Sequence, residues 1–265
     1  MNASTREPGS GFMLSIATLT AIVATLLVNA LSNLFPPKGL NIGAIANTVL
    51  QGVQITPANY AFAIWGLIYI GLLAYGIYQL RPAQRQNPTM QRVNWLLISA
   101  CVAQMVWVYL FTLRLFGLSI VAMVGILLSL IGAYLQLNVG KVRVSRGHQR
   151  FAQMPFSIYL GWISVATVVN VASALYSAQW QGWGISATAW TVTMLLVGAA
   201  IAAIVAMQRA DVAFTLVFIW AYVAIAVRQF ANPALWMTAI ALAIGMAVVL
   251  VLSRAKRKPL QAIKP

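Results

Sequence analysis

The sequence predicts an all-α integral membrane protein, a polytopic bundle of about eight transmembrane helices, and three observations carry that reading. Eight apolar stretches follow one another almost without interruption. Each has about the 20 residues that cross the hydrocarbon core as a helix satisfying its own backbone hydrogen bonds. Of 265 residues, 62% are hydrophobic and 7% charged, against about 25% charged in an ordinary soluble domain. The 17 Lys and Arg residues, behind a formal net charge of +15, sit in the short segments between apolar runs. They form no face on a soluble domain, so they read as topology signals and contacts to anionic lipid, and nucleic acid is excluded as a partner.

The expected spans are 12–35, 60–80, 93–113, 117–139, 155–176, 186–207, 212–230 and 234–253. The first follows a short segment, 1–11, that carries Arg6. It is longer than the apolar region of a signal peptide and ends in Asn29-Ala30-Leu31-Ser32-Asn33 rather than a small-residue cleavage site, so it reads as a retained helix. The long connection 36–59 repeats Ile42, Ile45, Ala46, Val49, Leu50 and Val53 at helical spacing, with Asn41, Asn47 and Gln51 on the other face. This pattern predicts a short amphipathic helix, either a lid over the bundle mouth built on Ile45, Val49 and Leu50, or an interfacial helix resting on lipid.

Alternating the loops places Arg6, Arg81, Arg85, Arg92, Lys141, Arg143, Arg146, Arg150, Arg209 and the tail basics on one side, and only Lys38, Arg114 and Arg228 on the other. The bias makes both termini cytoplasmic, or on the equivalent side of an organelle membrane. The tail, 254–265, reads as a polybasic end on anionic headgroups.

The only carboxylates are Glu7 and Asp211, with one histidine, His148, and one cysteine, Cys101. Paired-carboxylate catalysis, a Ser-His-Asp triad and a metal cage all need groups this chain lacks, so it reads as a protein that is not an enzyme and has no metal site. Asp211, at a predicted helix start near Arg209, reads as a cap or a surface ion pair. Cys101 reads as a small core residue, and His148 as a solvated loop residue.

Two stretches carry a more specific pattern, and a third keeps part of it. The second span begins Thr56-Pro57-Ala58-Asn59-Tyr60-Ala61-Phe62-Ala63-Ile64-Trp65-Gly66-Leu67-Ile68-Tyr69. The fifth, soon after Pro155, contains Tyr159-Leu160-Gly161-Trp162 and then Ala166-Thr167-Val168-Val169-Asn170. The third contains Gln104-Met105-Val106-Trp107-Val108-Tyr109-Leu110-Phe111. Over 12–176 the chain resembles the TspO/translocator-protein family, the tryptophan-rich sensory proteins. In the third helix Tyr109 and Phe111 keep the family's aromatic positions, while Val108 stands where members carry asparagine. The last three helices, 177–253, have no counterpart in the familiar five-helix members. The resemblance implies five helices around a hydrophobic pocket capped by the first loop. It also implies ligands such as porphyrins, haem, sterols and synthetic aromatic compounds, with no catalytic residue to carry over.

The residues point the same way on their own chemistry. Tyr60, Trp65, Tyr69, Trp107, Tyr109, Phe111, Tyr159 and Trp162 lie on three spans, and their flat faces suit a planar conjugated guest. Asn59, Gln104 and Asn170 either orient a ligand carbonyl or carboxylate or bond helix to helix. Arg114 and Arg228 either snorkel to the interface or anchor a propionate or phosphate. Small residues at Gly71, 74–76, Gly125, Gly132 and 198–203 permit close helix approach, within the chain or to a second copy or another membrane protein. The expected function is a receptor or carrier for a hydrophobic small molecule, most naturally a tetrapyrrole, with a bound porphyrin, haem or other pigment and no required cofactor. The alternatives are an assembly subunit of a larger, pigment-containing membrane complex and a facilitative transporter.

Overall fold

A computed structural model describes residues 10–256. Arg6, Glu7 and the tail beyond Lys256, including the lipid contacts expected of it, lie outside the described residues. Helices in chain order are α1 (Ser10–Leu34), α2 (Ile42–Asn47), α3 (Ile64–Tyr78, entered through a 3-10 turn at Asn59–Ala63), α4 (Pro82–Arg85) and α5 (Pro88–Thr112). They continue with α6 (Phe116–Gln136), α7 (Arg146–His148), α8 (Met154–Ser177), α9 (Ala187–Arg209), α10 (Val212–Arg228) and α11 (Pro233–Ala255). Among the described residues there is no strand, so the expected all-α membrane bundle is the fold.

Seven helices have the length and composition to cross a bilayer, and α10, with 17 residues, is shorter. At about 1.5 Å per residue it spans roughly 26 Å. It packs on α8, α9 and α11, so protein rather than lipid surrounds much of it. Helix starts follow local chemistry. Asn87 accepts from Thr89 N and Pro88 holds the first helical position, which begins α5 five residues before the expected 93. Pro155 has no N–H for the carbonyl four residues back, and the chain widens into a π turn over Gln149–Gln153, with Met154 N–H reaching Gln149 O.

The helix expected across 41–53 forms only at Ile42–Asn47. Asn47 Nδ2 and Thr48 Oγ1 turn back onto the carbonyls of Gly43 and Ala44, and Leu50 N–H closes onto Ile45 O five residues back, which ends the helix. Ile45, Ala46, Leu50, Val53 and Ile55 are buried, so the segment rests on the protein and not on lipid.

Helices α1, α3, α8, α6 and α5 pack each on the next and close a five-membered ring. Helices α9, α10 and α11 pack on one another and meet that ring through α10 against α8. Gly161 sets this junction, because a Cβ there would stand 3.1 Å from Val217 Cβ and 3.2 Å from Phe214 O. Small residues elsewhere also serve contacts within the chain. Gly71 faces Pro155, Gly76 faces Leu19, and Gly198 lies beneath Tyr222, whose hydroxyl donates to Leu195 O.

Polar residues inside the ring bond to one another. Tyr75 donates to Asn94 (2.6 Å), Asn94 to Gln79 (2.9 Å), and Gln79 to Ser15 O (2.8 Å), tying α1, α3 and α5 at the basic end. Asp211 caps α10 by accepting from Phe214 N, and also accepts from Tyr134 Oη at 2.9 Å. The expected cap is present, but the carboxylate is buried and bonded to a tyrosine, not placed at the surface. Cys101 is fully buried in the core.

Replacing Gly161 with valine is expected to separate α8 from α10 and lower stability by about 1–3 kcal/mol. Gly245→Ala, with open space around the added methyl, should leave the unfolding midpoint in detergent level or slightly raised, since alanine is the better helix former. Equal midpoints for the two variants would contradict this account of the junction.

Candidate functional site

At the end of the ring opposite the basic network, the 36–59 connection folds over two adjoining cavities. The inner one, about 50 Å³, is lined by Leu50 of the cap, Trp65 of α3, Trp107 and Phe111 of α5, and Trp162 and Asn170 of α8. The outer one is a groove of about 600 Å³ lined by Leu26 and Asn29 of α1, Asn41 of the cap, and Phe62, Trp65 and Tyr69. Ile42, Phe62 and Trp65 border both cavities and form the partition between them.

The aromatic rings make two groups, one around Trp65 and one at Trp107 and Phe111, that meet across the inner cavity. Trp65 stacks on Tyr69 (centroids 5.5 Å, 28°) and meets Tyr159 at 6.1 Å and Trp162 at 6.5 Å edge-on. Phe62 meets Trp162 at 5.9 Å, and Trp107 lies 5.2 Å from Phe111. Seven of the expected ligand residues thus come together: Trp65, Trp107, Phe111, Trp162 and Asn170 around the inner cavity, Tyr69 on the groove, and Tyr159 fully buried behind Trp65.

Tyr60 and Tyr109 stand apart. Trp107 and Phe111 are four residues apart and share the inward face of α5, whereas Tyr109, two residues from each, points outward and is 46% exposed. Tyr60 also faces outward, against Trp220 of α10 (5.2 Å, edge-on). In the cap, Leu50 lines the inner cavity, Ile45 is fully buried, and Val49 is half-buried beside them.

Asn170 takes the helix-to-helix role, accepting from Trp107 Nε1 at 2.8 Å and donating to Ser119 Oγ at 3.0 Å. Gln104 accepts from Tyr159 Oη at 3.4 Å. Four buried side-chain atoms among the described residues have no hydrogen-bond partner: Asn29 Nδ2, Tyr69 Oη, Gln104 Nε2 and Trp162 Nε1. Asn29 and Tyr69 line the groove and Trp162 lines the inner cavity, so unmet polarity gathers at these cavities.

The cap is held by α10. Ala58 N–H donates to Ala224 O (3.0 Å), Trp220 Nε1 to Ala61 O (3.1 Å), and Gln229 Nε2 to Gln54 O (2.8 Å). Arg228 donates to Asn47 Oδ1 at 2.7 Å and Ala46 O at 3.0 Å, so it neither snorkels nor points at the groove. Asn59, expected as a ligand contact, lines the groove and also accepts from Asn47 in the same network. Sequence reasoning missed Phe62, Ile42 and Asn29 as lining residues, and Trp220 and Gln229 as cap anchors. Asn29 carried a signal, an amide inside an apolar span. The anchors carried none, because pairing across some 170 residues leaves no trace in local pattern.

A family model described as TSPO-like protein matches residues 15–252, reaching through α9, α10 and α11 as well as the five-helix ring. No curated protein and no solved structure matches the chain.

Asn170→Leu removes the acceptor of Trp107 Nε1 and the partner of Ser119. The expected cost is about 1–2 kcal/mol of stability, read as a lower unfolding midpoint. A midpoint equal to that of the unaltered protein would contradict the proposed bonding.

Proposed function

The chain belongs to the TSPO-like protein family, and on that premise we propose that this integral membrane protein is a receptor or carrier for a planar hydrophobic molecule, a tetrapyrrole such as a porphyrin or haem. The carrying observation is Trp65, an aromatic wall shared by two cavities around which unpartnered hydrogen-bond donors gather. The groove's 600 Å³ falls within the roughly 300–1,000 Å³ of small-molecule sites. The inner cavity's 50 Å³ holds at most a water or two. The ligand therefore seats first in the groove, one face on Trp65 and Tyr69, and enters the inner cavity as Phe62, Trp65 and the cap shift. Asn29 in the groove and Trp162 in the inner cavity offer N–H donors, which suit a guest bearing carbonyl or carboxylate oxygens. Binding without turnover is the activity proposed, and the positive-inside bias supports a basic face in the cytoplasm with the groove opposite.

A second reading, an assembly subunit that turns over no ligand, draws on one observation. The inner cavity is nearly filled by the chain's own side chains.

Titrating protoporphyrin into the detergent-purified chain and following tryptophan fluorescence separates the two. Saturable one-site quenching is expected, with affinity about tenfold weaker in Trp65→Ala, from loss of a stacking wall, and a smaller loss in Trp162→Ala. Unsaturable quenching, unchanged in both variants, would put the assembly reading in front.

Cap release makes a kinetic prediction. Arg228→Gln keeps no guanidinium on Asn47 and Ala46, so protoporphyrin association followed by stopped flow should accelerate severalfold. An unchanged rate would show that the cap does not gate the groove.

A further inference from the structure

We propose that a third cavity, at the opposite, basic end of the molecule, is a binding site for a phosphate-bearing anion, a phosphodiester lipid headgroup or a free phosphate. It is independent of the aromatic site. The cavity holds about 880 Å³ between the connection after α6, the turn into α8, the α9–α10 junction and the last turn of α11. Five arginines, Arg143, Arg146, Arg150, Arg209 and Arg254, come to it from these separate segments.

Its frame is built. Gly140 has φ +70° and lies so close to Arg209 O that a Cβ would collide with it, so the connection is pressed onto the end of α9. Arg209 is 9% exposed. Its Nη1 donates to Val139 O at 3.1 Å and its guanidinium lies 5.6 Å from the Tyr134 ring centroid. Gln153 Nε2 pins the π turn to Leu137 O at 2.9 Å.

The charge is unbalanced. Asp211, the one acidic side chain among the described residues, lines the same cavity, so five arginines face a single carboxylate, whose oxygens accept from Phe214 N and Tyr134 Oη. The guanidiniums of Arg143, Arg146, Arg150 and Arg254 are exposed around one cavity, so their fields add there and raise the local concentration of anions. Arginine's planar fork matches phosphate oxygens, and several forks from different directions suit a tetrahedral group more than a single carboxylate. On the membrane side the lining turns apolar at Met154, Val212 and Leu216, and Met154 and Leu216 are also exposed on the outer face. A rim of guanidiniums above an apolar, outward-open floor is the complement of a headgroup with an acyl chain, which favours the lipid as source.

The test uses the full chain in nanodiscs of phosphatidylcholine doped with phosphatidylglycerol, with retained lipid counted by native mass spectrometry. A parallel arm titrates inorganic phosphate in neutral detergent and follows the unfolding midpoint. A triple variant, Arg146→Gln, Arg150→Gln and Arg254→Gln, is compared with Arg81→Gln, Arg85→Gln and Arg92→Gln, which removes equal charge from the same face outside the cavity. Phosphatidylglycerol retention should fall in both triple variants through lost surface charge, and about tenfold further in the cavity variant through loss of the converging forks. Saturable stabilisation by phosphate alone, lost only in the cavity variant, supports the same site with a soluble occupant. Equal losses in both variants, retention indifferent to the cavity arginines, or neither lipid preference nor phosphate stabilisation would overturn the proposal. The substituted cavity residues are exposed, and an unchanged midpoint in pure phosphatidylcholine verifies that the variant is folded.

Discussion

A bilayer offers no water to a buried polar group, so each donor and acceptor between the membrane faces must find its partner inside the protein. That constraint organises this molecule. Tyr75, Asn94 and Gln79 discharge it at the basic end, Trp107, Asn170 and Ser119 toward the capped end, and Tyr222 with Leu195 O between α9 and α10. Where the rule lapses, at Asn29, Tyr69, Gln104 and Trp162, three of the four residues line the aromatic cavities. A protein that satisfies its polar groups elsewhere and leaves several unmatched around tryptophan and tyrosine faces has the chemistry of a host. Stacking and apolar burial would supply affinity, and a few donors would supply orientation.

The last three helices gain a role from the same accounting. The connection after α1 carries backbone groups that a short cap cannot pair by itself. Ala224 O, Trp220, Arg228 and Gln229 of α10 and its end take up Ala58, Ala61, Ala46, Asn47 and Gln54. The α9–α11 bundle thus completes the hydrogen bonding of the cap, and its position is set by the close approach at Gly161. Anything that tilts α10 on α8 also pulls on the roof of the groove, which links the packing of α9–α11 to the aromatic cavities.

Much of this was legible in the sequence, because a helix that must hide its backbone in lipid writes its length in apolar residues. All eight helices lie within a few residues of their expected spans, and the shift at α5 comes from Pro88 and its Asn87 cap. The Thr56–Tyr69 and Tyr159–Asn170 patterns marked Trp65, Tyr69, Trp162 and Asn170, which the fold brings to one place. Tyr109 and Tyr60 were misjudged as neighbours of that set because aromatic content says nothing about which side of a helix a ring occupies. The cap was read as too long a helix, since periodicity does not register the side-chain bonds of Asn47 and Thr48 that end it. The α10 clamp and the gathering of five arginines depend on contacts between distant segments, which no local pattern records.

The most direct measurement is a photo-oxidation footprint. Protoporphyrin bound to the purified chain is illuminated in the presence of oxygen, and oxidised side chains are mapped by peptide mass spectrometry. A porphyrin seated against the shared aromatic wall oxidises Trp65 first, then Tyr69 and Trp162. Oxidation confined to Trp95 and Trp183, which face outward at 62% and 80% exposure, with Trp65 spared, would contradict the account.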